Sequence, residues 1–171
     1  MSVDDGKYVS DSTLVIIEVQ NENEAPNDIV LSDSIFDENI SIHSEIALLT
    51  TLDDDVNDTT FEYILVSGAG DTDNVDFYLI NHRLRVGRVF NYEEDSILNI
   101  RIQTKDPFGE RFEKSLTLYV NNIQEAPDSI ILSNSSVSNV AVQNTFVGLL
   151  STQDDEGGPF VYGFVEGGIH N

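Results

Sequence analysis

Asn23-Glu24-Ala25-Pro26 and Gln124-Glu125-Ala126-Pro127 lie 101 residues apart, and the stretches that follow them run in step. Ile29-Val30-Leu31-Ser32 is matched by Ile130-Ile131-Leu132-Ser133, and Leu48-Leu49-Thr50-Thr51-Leu52-Asp53-Asp54 by Leu149-Leu150-Ser151-Thr152-Gln153-Asp154-Asp155. After a two-residue difference in length, Phe61-Glu62-Tyr63 meets Phe160-Val161-Tyr162. In the other direction Val15, Ile17 and Val19 stand opposite Leu116, Leu118 and Val120, with Asp5 opposite Asp106. Self-similarity at a fixed offset is the mark of a repeat array. The expected organisation is the closing strand or strands of one repeat over 1–24, a complete repeat over 25–125, and the opening part of a third over 126–171.

Within the complete repeat the apolar residues have period two. Leu98, Ile100 and Ile102 alternate with Asn99, Arg101 and Gln103, and Leu116, Leu118 and Val120 alternate with Thr117 and Tyr119. This pattern predicts strands with one buried and one wet face. Further strands are expected at 29–32, 45–52, 61–66, 76–80 and 83–88, separated by turn formers such as Gly68-Ala69-Gly70-Asp71 and Asp106-Pro107-Phe108-Gly109. Ile46, Leu48 and Leu49 break the alternation, so a bulge is expected in 45–52. No segment sustains a helical period. Short strands at this density predict an all-β fold, an immunoglobulin-like Greek-key β-sandwich repeated in tandem.

Charge narrows the function. Lys and Arg number 8 against 31 Asp and Glu, a formal charge of −23. Such a chain repels phosphate and lacks the basic stripe that nucleic-acid binding requires, so neither nucleic acid nor an anionic membrane surface is expected as a partner. Carboxylates drawn together by folding repel one another unless cations lie between them. There is no Cys, which excludes disulfides and thiolate metal sites. Met1-Ser2-Val3-Asp4-Asp5-Gly6 lacks the basic and apolar regions of a signal peptide, and no apolar run is long enough for a membrane span. Any targeting signal is expected outside this segment.

The carboxylates gather at expected strand ends and repeat boundaries: Asp37-Glu38-Asn39, Asp53-Asp54-Asp55, Asn91-Tyr92-Glu93-Glu94-Asp95, Asp106, Asn21-Glu22-Asn23-Glu24 and Asn122-Ile123-Gln124-Glu125. Several loops supplying hard oxygen donors suit Ca²⁺, which takes six to eight of them. These residues together resemble the cadherin repeats, in particular the bacterial cadherin-like variety. The resemblance implies an extracellular or cell-surface location and Ca²⁺ held between successive sandwiches.

The resemblance also implies a ligand set. Glu38 matches the family's first Glu, and Glu93 the Glu of the second motif, with Asn91 where Asp is usual. Asp53 and Asp55 match the Asp-x-Asp motif, and Asp106 the lone Asp. Asn21, Asn23 and Glu24 match one connector, and Asn122 and Glu125 the other, where Gln124 replaces the usual Asn. Both connectors are a residue shorter than the animal pattern. In the third repeat the Asp-x-Asp motif becomes Asp154-Asp155-Glu156, and Ser138-Asn139-Val140, opposite Asp37-Glu38-Asn39, carries no carboxylate. Two junctions are expected. Asn21, Asn23, Glu24, Asp53, Asp55 and Asp106 serve the first, and Glu38, Asn91, Glu93, Asn122, Glu125, Asp154 and Glu156 the second. Glu94, one residue beyond Glu93 in a segment expected to be extended, points away.

No nucleophile elbow, phosphate loop or His-Glu-x-x-His helix occurs, and no enzymatic activity is expected. His43, His82 and His170 lack metal-ligand spacing. The implied role is a calcium-binding adhesion or structural segment, with homotypic or heterotypic cell-surface proteins, or a polysaccharide, as partners. Head-to-tail self-association through unpaired strand edges at the two ends is a further expectation. The rival reading is a carbohydrate-binding module that stacks sugars on Tyr63, Tyr78, Tyr92 and Tyr119.

Overall fold

The structure, a computed structural model, describes residues 4–9, 14–55 and 58–165. Among the described residues ten strands run in the order β1 (Asp28–Leu31), β2 (Ile35–Asp37), β3 (Glu45–Leu52), β4 (Glu62–Leu65), β5 (Phe77–Ile80), β6 (Arg83–Val86), β7 (Ile97–Lys105), β8 (Arg111–Asn121), β9 (Ser129–Leu132) and β10 (Leu150–Gln153). The one helical element among the described residues is a single 3-10 turn, Asn74–Asp76. The fold is all-β, as the alternation predicts. One four-stranded sheet has the order β1-β3-β6-β5, the other β2-β8-β7-β4, and β9 with β10 forms a separate pair.

Alternation builds the core. Leu98, Ile100 and Ile102 of β7 and Leu118 and Val120 of β8 turn inward, opposite Ile29, Ala47, Leu49, Leu84 and Val86 of the facing sheet. Apolar area removed from water in this way is the dominant favourable term in folding. Phe36, Phe77 and Phe90 close one end: Phe90 lies 5.3 Å from both partners, edge-on to Phe36 and stacked on Phe77. The ladder of β3 shifts register between Glu45 and Ala47, the bulge that Ile46-Leu48-Leu49 announces.

Two strand details depart from the periodic reading. Gln103, expected on the wet face, is buried because its amide donates to Glu113 Oε1 at 2.8 Å and that carboxylate covers it. Thr104 beside it is buried too, its hydroxyl 2.8 Å from that of Thr51. The short edge strand β2 is absent from the expected set. It pairs in parallel with β8, Ile35 opposite Tyr119 and Asp37 opposite Asn121.

The 101-residue period is also written in hydrogen bonds. Ser32 N donates to Leu48 O at 2.8 Å and Ser133 N to Leu149 O at 2.9 Å; Leu48 N and Leu149 N donate at 2.9 Å to the hydroxyls of Ser32 and Ser133. Thr51 donates to Tyr63 and Thr152 to Tyr162, each at 2.9 Å. Asp5 Oδ1 accepts the N–H groups of Lys7 and Tyr8, as Asp106 Oδ1 accepts those of Phe108, Gly109 and Glu110. The β9–β10 pair is thus a copy of β1–β3, but no second sheet packs over it among the described residues. Ile29 is 0 % exposed, and its counterpart Ile130 is 66 % exposed. Residues 14–20 carry the expected alternation yet form no strand, because no neighbour among the described residues pairs with them.

Candidate metal centre

Asp53, Asp55 and Asp58 leave the end of β3, and Asp106 opens the β7–β8 turn at the same end of the sandwich, where connector 21–24 meets them. Asp106 is buried, with Oδ1 on the three turn N–H groups and Oδ2 accepting from Asn23 Nδ2 at 2.8 Å. Burial works against its charged form, but the hydrogen bonds from Asn23, Gly109, Glu110 and Phe108 outweigh it and hold the carboxyl below its ordinary range. Asp55, also buried, accepts from the side chain of Asn21 and from Glu24 N at 2.8 Å. Asp53 Oδ1 accepts from Asp55 N at 2.9 Å. Carboxylate oxygens of Asp53, Asp58 and Asp106 all lie within 4.8 Å of one another.

At the opposite end the second cluster is built around Glu38. This carboxylate is 2 % exposed; Oε2 accepts from Tyr92 N at 2.8 Å and Oε1 from Ile123 N at 2.7 Å, which ties the 91–95 turn to connector 122–125. Oxygens of Glu38, Glu93 and Glu125 lie within 4.8 Å of one another. Asn122 donates to Glu93 Oε1 at 2.8 Å, and Asn39 to Glu125 Oε1 at 2.5 Å. Glu156 joins from the strand-end loop after β10, with Gln124 Nε2 3.5 Å from its Oε2.

Both clusters contain buried oxygens that have no partner: Asn23 Oδ1, Asp53 Oδ2 and Asp58 Oδ2 in the first, Asp154 Oδ1 and Glu156 Oε1 in the second. Buried acceptors are normally satisfied, and a group left over calls for a reason. Here the donor set is carboxylate and amide oxygen alone, which is the chemistry of a hard divalent cation. Burial pushes the Asp58 carboxyl up, helped by the charges of Asp53, Asp55 and Asp106. Glu156 is pushed up in the same way, by burial and by Asp154, Glu125 and Glu93. The residues present fit such an ion in both places.

The expected ligands fare differently in detail. Asn21, Asn23, Asp53, Asp55 and Asp106 gather at one end, and Glu38, Glu93, Asn122, Glu125, Asp154 and Glu156 at the other. Asn91 is engaged locally: its Oδ1 accepts from Glu93 N at 2.8 Å and holds the turn. Glu24 meets Asp55 through its backbone N–H rather than its carboxylate. Asp58 is an addition, and its signal was the third acidic position of Asp53-x-Asp55-x-x-Asp58. Residues 92–94 form a turn and not an extended run, so strand alternation is not the reason Glu94 is exposed. The four tyrosines share no platform. Tyr63 on β4 turns inward to Thr51, Tyr78 lies beside His43 on β5, Tyr92 sits in the 92–94 turn, and Tyr119 stands on the outward face of β8. His170 lies outside the described residues.

No family model matches the chain. Over 88 residues, 50 % of this chain, it is 33 % identical to Cadherin-4 of Caenorhabditis elegans, and it spans only 2 % of that protein's length. Among solved structures, the EC1-2 segment of human protocadherin-24 superposes with a TM-score of 0.53 at 16 % identity, covering 72 % of this chain and 56 % of that one. The EC1-4 structure of PcdhgB3 gives 0.53 at 20 % identity, covering 80 % and 34 %. The chain shares the fold of these cadherin domains, an all-β sandwich, and carries an acidic cluster at each end of it.

Proposed function

We propose that the chain is a calcium-binding, calcium-rigidified segment of a secreted or cell-surface adhesion or structural protein, and that it does no catalysis. The observation that carries this reading is the set of unpartnered buried oxygens within both carboxylate clusters. Asp53, Asp55, Asp58, Asp106 and Asn23 would hold an ion at one end; Glu38, Glu93, Glu125, Asp154 and Glu156 would hold one at the other. The ion supplies positive charge among carboxylates that otherwise repel, and it joins a connector to the sandwiches on either side. Glu38 prepares the second site without the ion, because its two backbone hydrogen bonds already draw the turn and the connector together. The proposed division into repeats at 24/25 and 125/126 puts each cluster on a boundary. Partners are other surface proteins, including copies of the chain itself.

Thermal melting during a Ca²⁺ titration tests the reading. An ion that binds only the native form stabilises it by RT ln(1 + [L]/Kd), about 2.7 kcal/mol at a hundredfold excess over Kd. The melting temperature should rise by several degrees with Ca²⁺ and return with chelator. A melt indifferent to both would overturn the assignment.

A further inference from the structure

The outward faces of the two sheets are unlike each other. On the β3–β6–β5 face Tyr78, Arg85 and Glu45 form one cross-strand row and Ile80, Arg83 and Leu48 the next. Arg83 and Arg85 both pair with Glu45 Oε2, at 2.6 and 3.2 Å, so two guanidiniums share one carboxylate. Arg85 Nε is buried and has no partner. In a chain of charge −23 this is a locally positive surface.

On the β2–β8–β7 face the corresponding row is apolar. Ile35, Tyr119 and Ile97 lie side by side across three strands and are 56 %, 46 % and 59 % exposed. Asp33 and Asp37 flank Ile35, and among the described residues neither has a cation within ion-pair distance. Each face therefore offers what the other lacks: apolar side chains bordered by unbalanced charge of opposite sign.

We infer that the Ile35–Tyr119–Ile97 face of one copy docks on the Arg83–Arg85–Ile80 face of a second copy. The aromatic and aliphatic row supplies the desolvated centre of the contact, and Asp33 and Asp37 meet the two arginines at its rim. Because the two surfaces lie on opposite sheets of one sandwich, the contact is heterologous and propagates sideways instead of closing as a dimer. The inference rests on the homotypic part of the reading above and not on the ion sites.

Sedimentation velocity of the 171-residue chain in Ca²⁺ and low salt, over a wide concentration series, tests it. Self-association is expected to grow with concentration and to weaken with added salt. Arg83→Glu and Asp37→Lys should each weaken it at least tenfold, while an equimolar mixture of the two variants should associate again. Each variant keeps one intact face, and recovery in the mixture also shows that both are folded. A parent chain that stays monomeric throughout would overturn the inference, as would association indifferent to both substitutions. A monomer that binds alginate through Arg83 would overturn it in favour of a polyanionic glycan. Association without any calcium effect on melting would sink the ion reading and leave this contact standing.

Discussion

Glu38→Gln separates what the protein scaffold does from what an ion does. The wild-type carboxylate accepts two backbone N–H groups, Tyr92 at 2.8 Å and Ile123 at 2.7 Å, while 2 % exposed. Hydrogen bonds to a charged acceptor contribute about 1.5–3 kcal/mol each. Glutamine keeps one carbonyl oxygen for one N–H, turns an NH₂ group toward the other, and removes the charge from both. The expected loss in chelator is therefore about 2–4 kcal/mol. For a domain near 100 residues that lowers the melting temperature by roughly 10–20 °C. Glu93 is exposed and, among the described residues, its carboxylate accepts from the Asn122 side chain alone, so Glu93→Gln should leave the chelator melt nearly unchanged and reduce the calcium response. Differential scanning calorimetry of the two variants, with and without Ca²⁺, reads both effects. A Glu38→Gln melt in chelator equal to that of the parent would refute the reasoning, because the turn and connector would then be held by something else.

Glu94→Ala should leave calorimetric Ca²⁺ affinity within the small change that ordinary salt screens, while Glu93→Ala weakens it by an order of magnitude or more. Phe90→Ala, which empties the centre of the Phe36–Phe77–Phe90 cluster, should cost about 3–5 kcal/mol in urea denaturation. The hydrogen bond from Lys114, and then that from Ile29 N–H, hold Asp28 below the usual carboxylate range. Because the folded-state pKa is lowered, this contribution is complete above the unfolded-state value and is lost as pH falls through the folded one. Lys114→Met should thus lower stability at neutral pH and make little difference at about pH 2, as followed by denaturation at a series of pH values.

The parts of the fold visible in the sequence were those where a side chain's environment repeats every second residue. β7 and β8 are long enough for that rhythm to show, and the bulge in β3 showed as its interruption. β2 did not, because three residues with one buried Phe36 carry no period, and its pairing depends on where β8 lies in space. Gln103 was misplaced for a related reason: alternation gives the face, but whether a face is wet depends on a neighbour such as Glu113. At the site, the carboxylate positions came from the resemblance and the repeat offset. Their directions did not. Asn91 Oδ1 is taken by the N–H of its own turn, since local Asx geometry competes with any distant ligand role, and Glu24 meets Asp55 through its backbone, a contact that only the fold brings about. Asp58 stood in plain view but outside the motif.

The parallel pairing of β2 with β8 sets how the sandwich bears load. Tension applied through the two connectors pulls the first strands and the last strand in opposite directions along nearly the same axis. The hydrogen bonds from Glu38 N to Asn121 O and from Tyr119 N to Ser34 O, with the ladder between them, are then strained together in shear and cannot open one at a time. Forced unfolding is governed by the barrier and not by equilibrium stability. A three-residue strand that gives the core one side chain, Phe36, therefore acts as the mechanical clamp of the repeat.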